Sequence, residues 1–511
     1  MDRASDEQFS LPVAVIGAGP VGLAAAAHLL ARGLAPVIFE AGPSAGASVR
    51  EWAHVRLFSP WRYCIDEAAA ALLERAGWQR PDPDHHPTGG ELLRDYLEPL
   101  ARTPQIAAAL RLNARVVAVT RRDADKVRSR GRESQPFLLR WLDRDGRVAE
   151  GEFRAVIDAS GTWTSPNPAG TSGLPARGEA ESGSRVHYGI PDVLGAGRSR
   201  YAGKRVLVVG SGHSALNAML DLVALGADAP GTRVLWALRS DSLERVFGGG
   251  AADVLPARGL LGLKAKEAVD AGGVELLAPF RIRAMGPAPG GALRVEGEDG
   301  AGTARAVTVD EVVVATGFRP ELGFLRELRL SLDPDLESAA ELGPLIDPNV
   351  HSCGSVPPHG HRELAHREKD FYIVGMKSYG RAPTFLLLTG YEQARSVAAA
   401  LAGDLAAADD VHLVLPETGV CSLSPAQIRD LGLAARAGDT ATVAAAAACC
   451  APPAAVEPAP ASGCCGGPAP EAAAACCADD AAAKAAGESG CGCGDAPAAA
   501  VPEKTARACC G

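Results

Sequence analysis

Three groups of residues in this 511-residue chain have types and spacing suited to chemistry. Gly17-Ala18-Gly19-Pro20-Val21-Gly22 and Gly210-Ser211-Gly212-His213-Ser214-Ala215 both put small residues where a backbone must bend sharply. In such a turn the first glycine makes the bend and the second lets main-chain N–H groups approach a diphosphate. The third small position lets a helix pack closely on a strand. The third group is a set of thiols: Cys449-Cys450, Cys464-Cys465, Cys476-Cys477, Cys491 with Cys493, and Cys509-Cys510. Thiolates select soft, thiophilic metals and metalloids. Adjacent cysteines close a disulfide on each other only with strain, so ligand capture is the better use of such pairs.

The glycine turns need a strand before them and a helix after them. Val13-Ala14-Val15-Ile16 is a buried-strand run, and an Ala/Leu-rich helix follows the first turn, with Pro20 at its first position. A second strand run, Pro36-Val37-Ile38-Phe39, ends in Glu40, placed to accept hydrogen bonds from a ribose diol. The second turn repeats the pattern: an apolar strand over residues 205–209, a helix to about residue 225, and a strand over 234–238 that ends in Arg239. A carboxylate there would repel a 2′-phosphate, whereas a guanidinium pairs with one bidentately, so NADPH is favoured over NADH at this site. Arg245 is either a second phosphate contact or a surface charge, and His213 reads as a spectator beside the pyrophosphate. An acid-terminated first motif this early in the chain marks FAD in proteins with two dinucleotide sites, and two such sites imply hydride transfer from nicotinamide to flavin.

Val156-Ile157-Asp158-Ala159-Ser160-Gly161 and Val312-Val313-Val314-Ala315-Thr316-Gly317 form a near-repeat, each ending a strand with a small residue, a hydroxyl and a glycine. They look like the points where the chain passes between an FAD domain and an inserted NADPH domain. The expected fold is therefore α/β, with two Rossmann-like dinucleotide-binding domains and a disordered Cys-rich tail. The FAD domain takes residues 8–180 and 318–410, the NADPH domain 181–317, a linker 411–442 and the tail 443–511. The tail holds no Phe, Trp, Tyr, Leu, Ile or Met, so it cannot bury enough apolar surface to offset its ordering entropy. The charged stretch over residues 120–132 reads as a solvated hairpin loop.

A net charge of −10 without a basic stripe argues against nucleic acid as a partner. The N-terminus lacks the pattern of a secretory signal, and no apolar run is long enough to span a bilayer. A cytoplasmic protein away from membranes is expected. Cys64, Cys353 and Cys421, the cysteines of the body, form no CxxC or CxxxxC pair, which disfavours flavin-linked disulfide chemistry. Cys353 with His359, His361 and His366 is either a zinc site or a loop near the flavin.

Over about 400 residues the chain resembles the flavin-dependent monooxygenase class. The resemblance rests on the two glycine motifs, on Ala315-Thr316-Gly317-Phe318-Arg319-Pro320, and on Asp370-Phe371-Tyr372-Ile373-Val374-Gly375. In the class signature FxGxxxHxxx(F/Y), Gly183 and His187 match, while Glu181 and Pro191 depart. The resemblance implies that Gly375 leads toward a helix whose start, near Thr384, approaches the flavin. It also implies that the segment from Trp52 to Trp61 lies against the isoalloxazine, the alternative being an aromatic cluster in the core. The reaction implied is NADPH-dependent oxygenation of a small soft or nucleophilic substrate through a C4a-peroxyflavin. A plain NADPH reductase, or a metalloid-binding protein on a flavoprotein scaffold, are the alternatives. Met376-Lys377-Ser378-Tyr379-Gly380-Arg381-Ala382-Pro383-Thr384 and the Cys-pair tail resemble flavoproteins linked to bacterial arsenic resistance. This implies a thiophilic metalloid such as arsenite as a partner of the tail.

Overall fold

A computed structural model describes residues 11–241, 244–247, 256–349, 356–382 and 385–412. Thr384, Cys353, Cys421, the ten tail cysteines and the expected linker beyond residue 412 lie outside the described residues, as does the side chain of Arg245.

Two five-stranded sheets carry the fold. The first draws on β1 (Val13–Ile16), β2 (Pro36–Phe39), β3 (Leu110–Arg111), β7 (Ala155–Asp158) and β16 (Phe371–Ile373). Between β3 and β7 comes a meander of β4 (Arg115–Arg121), β5 (Phe137–Leu142) and β6 (Val148–Phe153). The second sheet draws on β8 (Val186–Tyr188), β9 (Arg205–Val209), β10 (Arg233–Ala237), β11 (Val274–Leu277) and β15 (Glu311–Val314). Its own meander is β12 (Arg281–Pro287), β13 (Leu293–Glu298) and β14 (Ala304–Val309). The orders β3-β2-β1-β7-β16 and β11-β10-β9-β15-β8 share one plan over four strands; the fifth comes last in sequence in the first sheet and first in the second. Every neighbour in both sheets is parallel, and both meanders are antiparallel.

Parallel strands covered on both faces should read as continuous apolar runs. β1 is such a run, with all four residues buried, and so are the last four residues of β9. The helix Pro20–Ala31 is apolar almost all round because it is enclosed: every residue from Val21 to Leu29 is buried. Strand ends are flush, with Ile16 level with Phe39 and Asp158, and Val209 level with Ala237 and Val314. That alignment opens a crevice at the carboxyl end of each sheet.

Two features depart from the sequence expectation. Ala169 and Ala176 pack with Val186 and Leu207 in the second core, so the segment before residue 180 sits with the second sheet. The 120–132 stretch is a hairpin connection, as expected, but it is not wholly solvated. Arg121 and Arg132 are buried around Glu368, which Arg121 Nε reaches at 2.8 Å and Arg132 Nη2 at 2.8 Å. Glu368 also accepts the Arg329 N–H. Burial alone would raise the Glu368 carboxyl, but these donors outweigh it and hold it below its usual range. The charges tie the first meander to the chain just before β16.

No helix among the described residues is long and apolar enough to cross a membrane.

Candidate functional site

The first crevice is built on the Gly17–Gly22 turn. Gly17 has φ +99°, a conformation that favours glycine, and a Cβ there would stand 2.6 Å from the Ala159 carbonyl oxygen. A Cβ at Gly22 would lie 2.0 Å from the Gly17 oxygen, so the helix can start this close to the turn only with glycine there. At Gly19, which caps the helix, a Cβ would meet nothing within 4 Å. The open space lies at the N-terminus of a helix, where free N–H groups and the dipole favour an anion, and the turn therefore fits a diphosphate. Glu40 is half-buried and fixed from both sides: Oε2 accepts the Ala18 N–H at 2.9 Å and Oε1 the Gly42 N–H at 2.7 Å. An ionised carboxylate has about four acceptor sites, so capacity for a ribose diol remains.

The second crevice repeats this geometry with two changes. Gly210 has φ +130° and its Cβ would stand 2.3 Å from the Ala315 oxygen, the counterpart of Gly17 and Ala159. Gly212 caps the helix His213–Asp228 and faces open space. Ala215 is buried where the first turn has Gly22. Arg239, exposed just past β10, stands where the first crevice has Glu40. A guanidinium in that place can pair with a phosphate on the ribose.

The near-repeat at 156–161 and 312–317 ends β7 and β15, which lie in different sheets, and the chain segments that follow them, 165–167 and 317–319, pair with each other. Asn167 N–H donates to the Gly317 oxygen and Arg319 N–H to the Ser165 oxygen, both at 2.9 Å, around an antiparallel bridge between Pro166 and Phe318. Thr316 Oγ1 donates to the Asn167 oxygen at 2.8 Å, and Gly317 takes φ +90°. Trp163 stacks on Phe318 with ring centroids 4.8 Å apart, and its Nε1 donates to Glu51 Oε2 at 2.7 Å.

The segment after Glu40 divides its residues between the two units. Trp61 is buried in the first core, and Trp52 packs partly buried against it, with the place of a Gly89 Cβ only 2.7 Å from its ring. Both rings thus pack with the first core. Phe58 instead packs against the second core and meets His213 edge-on at 5.2 Å. His54 Nε2 is buried and finds no hydrogen-bond partner among the described residues. Its field reaches His187 of β8, whose imidazole burial pushes down, and Asp221, whose carboxyl burial pushes up.

Gly375, with φ +72°, donates its N–H to Gln393 Oε1 at 2.8 Å, and the place of its Cβ is 3.3 Å from Val21 beside the first turn. Gln393 belongs to the helix Leu387–Leu401, and its Nε2 meets His359 Nε2 at 3.0 Å. His359 Nδ1 must donate to the Pro357 oxygen, 3.0 Å away, which leaves Nε2 as the acceptor for the Gln393 amide. His361 pairs with Asp409 and His366 with Ser331. The three histidines thus face three different partners, and no group of three or more potential metal ligands exists among the described residues. Cys353, the fourth member of the zinc alternative, lies outside the described residues.

Sequence reasoning missed Asp158, Ser160 and Lys377, which meet inside the first unit. Lys377 Nζ donates to Asp158 Oδ2 at 2.7 Å and to Ser160 Oγ at 3.0 Å. The available signal was a lysine two residues after a glycine that closely follows a strand.

Residues 12–133 match the FAD dependent oxidoreductase family. The first crevice, from Gly17 to Glu40, lies within this match. Among curated proteins, the chain is 26% identical over 247 residues to the flavin-containing monooxygenase FMO GS-OX-like 2 of Arabidopsis thaliana, covering 44% of this chain and 49% of the relative. It is 30% identical over 221 residues to the indole-3-pyruvate monooxygenase YUCCA1 of Oryza sativa, covering 42% of this chain and 45% of the relative. The matched segment thus spans about half the length of each. Among solved structures, the bacillithiol disulfide reductase of Bacillus cereus aligns with a TM-score of 0.56 at 19% identity, over 77% of this chain and 99% of that one. The cadaverine monooxygenase DfoA of Erwinia amylovora, solved with FAD bound, aligns at 0.53 and 15%, over 81% and 98%. At these identities the likeness is one of fold.

Proposed function

We propose that this protein is an NADPH-dependent FAD monooxygenase acting on a small soft or nucleophilic substrate. The observation that carries the reading is the pairing of two crevices of one plan, one ended by Glu40 and the other by Arg239, joined by crossing segments held together at Pro166 and Phe318. When bound, FAD supplies the two-electron relay between a nicotinamide and dioxygen. The chain's own residues do the holding. The Gly17–Gly22 turn and Glu40 seat one dinucleotide, and the Gly210–Ala215 turn and Arg239 seat the other. Overall, one oxygen atom enters the substrate and the second leaves as water, with NADPH and a proton as the reductant. The monooxygenase relatives support this reading.

Against disulfide chemistry stands Cys64, the one cysteine among the described residues. It is buried, donates to the Ser59 oxygen, and burial pushes its thiol up to about 12. A thiol so far from ionisation is a poor nucleophile.

The Cys pairs 449/450, 464/465, 476/477, 491/493 and 509/510 would bind a thiophilic metalloid such as arsenite and hold it near an enzyme of metalloid detoxification. Their number and spacing support this reading, as does the resemblance to arsenic-resistance flavoproteins.

The test is anaerobic bleaching of the flavin by NADPH and by NADH, followed by aerobic turnover with a thioether, an amine and arsenite and identification of the products. Faster bleaching by NADPH and an oxygenated product support the reading. Hydrogen peroxide as the sole oxygen product with every substrate would leave a plain reductase. A chain ending at residue 442 should keep turnover and lose arsenite binding.

A further inference from the structure

Lysine is among the residues least often found fully buried, and an ammonium taken from water costs free energy unless it is paired. Lys377 is 1% exposed, in the short turn Gly375–Tyr379 that follows β16. Besides its bonds to Asp158 and Ser160, its Nζ lies over the Phe324 ring, 4.6 Å from the centroid. Asp158 is fully buried at the end of β7, level with Ile16, the residue before Gly17. Its second oxygen accepts the Ser160 N–H at 3.0 Å. The Gly17 turn leans on the same place, since a Cβ at Gly17 would stand 3.0 Å from the Ser160 Cα. The ion pair therefore lies directly behind the turn that fits a diphosphate.

A lone buried carboxylate there would put a poorly screened negative charge next to a dianionic ligand. We infer that Lys377 is a positioning residue for FAD: it cancels the Asp158 charge behind the diphosphate turn and clamps together the segments 158–160 and 375–379 that border the crevice. The inference depends on FAD in the first crevice and not on NADPH or oxygen chemistry. It separates from a purely structural role by sign. Removing either partner of a buried pair strands the other and lowers stability. If the pair serves only the fold, both single variants loosen FAD alike. If it serves the anion, a stranded Asp158 repels the diphosphate, whereas a stranded Lys377 attracts it.

The experiment follows FAD release from diluted holoprotein by the recovery of flavin fluorescence, with thermal unfolding measured in parallel. Lys377→Met should speed release by about tenfold or more, the scale of one unscreened charge at roughly 10 Å in an effective dielectric of about 20. Asp158→Asn should release FAD no faster than the parent although it unfolds earlier, and the double variant should return to within about threefold of the parent. Equal acceleration by both single variants, or no acceleration by Lys377→Met, would overturn the inference. Where Lys377→Met gives no folded holoprotein, Asp158→Asn decides alone, because faster release from it contradicts the sign.

Discussion

The two halves of the molecule share a plan and differ in what fills it. Both have a parallel sheet with the same order over four strands, a meander before the strand that leads to a crossing segment, and a glycine turn leaning on that segment. The first half encloses paired polar groups: His28 with Asp66, Arg121 and Arg132 with Glu368, and Lys377 with Asp158. From residue 169 to 315, Glu179 and Thr232 are the buried polar side chains among the described residues, and Glu179 accepts from the Ala169 and Ala176 N–H groups and from Tyr188. The difference teaches where each half spends its rigidity. The first binds its crevice walls together with buried ion pairs, whereas the second encloses one carboxyl group held by backbone N–H groups and Tyr188 and keeps Arg239 at the surface.

The sharpest break between the two turns is at their third small residue. Helix propensity alone favours alanine over glycine by about 1 kcal/mol at an interior position. Gly22→Ala should nevertheless lose FAD, since its methyl would stand 2.0 Å from the Gly17 oxygen, a backbone atom. Overpacking against main chain costs on the order of 3 kcal/mol here. At Ala215 that methyl is already accommodated, so Ala215→Gly should cost only about 1 kcal/mol. The ratio of flavin to protein absorbance after purification, with melting curves, checks both.

Acid should separate the halves next. Burial pushes His366, beside Phe371 of β16, down to about 4 from 6.5, opposed by the Ser331 backbone and Asp158. The unfolded chain takes up a proton near pH 6.5 and the folded chain only near 4. Stability from this residue is therefore present above 6.5 and falls as pH drops through that window, by roughly 3 kcal/mol in all. Glu368 adds to this at lower pH: its carboxyl is held down when folded, so its contribution is lost as pH falls through its folded value. Flavin should leave on acidification before the second half unfolds. Urea titrations at pH 7 and pH 4.5 should show the loss, and His366→Leu should flatten the slope between them while lowering the baseline.

A smaller effect tests the opposite ends of the two ribose strands. Arg239→Ala should weaken NADPH by about 1.5–3 kcal/mol, roughly ten- to a hundredfold in KM, while leaving NADH and flavin content nearly unchanged. Equal losses with both nucleotides would place the 2′-phosphate elsewhere.

The sheets, both turns and the acid and base that end β2 and β10 were legible because each is local. A strand, a turn and a helix are written in some thirty consecutive residues, and the physics of close approach restricts which types fit. The charge clusters were not legible. Arg121 and Glu368 are 247 positions apart, and a surface arginine in a polar stretch looks no different from a buried one until its partner is placed. Lys377 was visible only as part of a motif. The segment from Trp52 to Trp61 was read as one unit, yet its rings go to two cores, because an irregular segment has no period from which to assign faces.

That division of Phe58 from Trp52 and Trp61 yields the subtlest prediction. Phe58 leaves the first half to lie against His213, the first residue of the helix at the second turn, while Glu51 holds Trp163 on the crossing segment. Both contacts fix the second crevice relative to the first without belonging to either. An aromatic pair contributes about 1 kcal/mol beyond its buried area, too little to decide folding but enough to shift a distribution of separations between two cofactors. Phe58→Ala should therefore leave flavin content and NADP⁺ affinity within about twofold and slow anaerobic bleaching by NADPH about five- to tenfold, with Phe58→Tyr restoring most of the rate. If affinity falls and the bleaching rate at saturation does not, Phe58 serves the second crevice alone, and the two halves are held in place by their crossing segments.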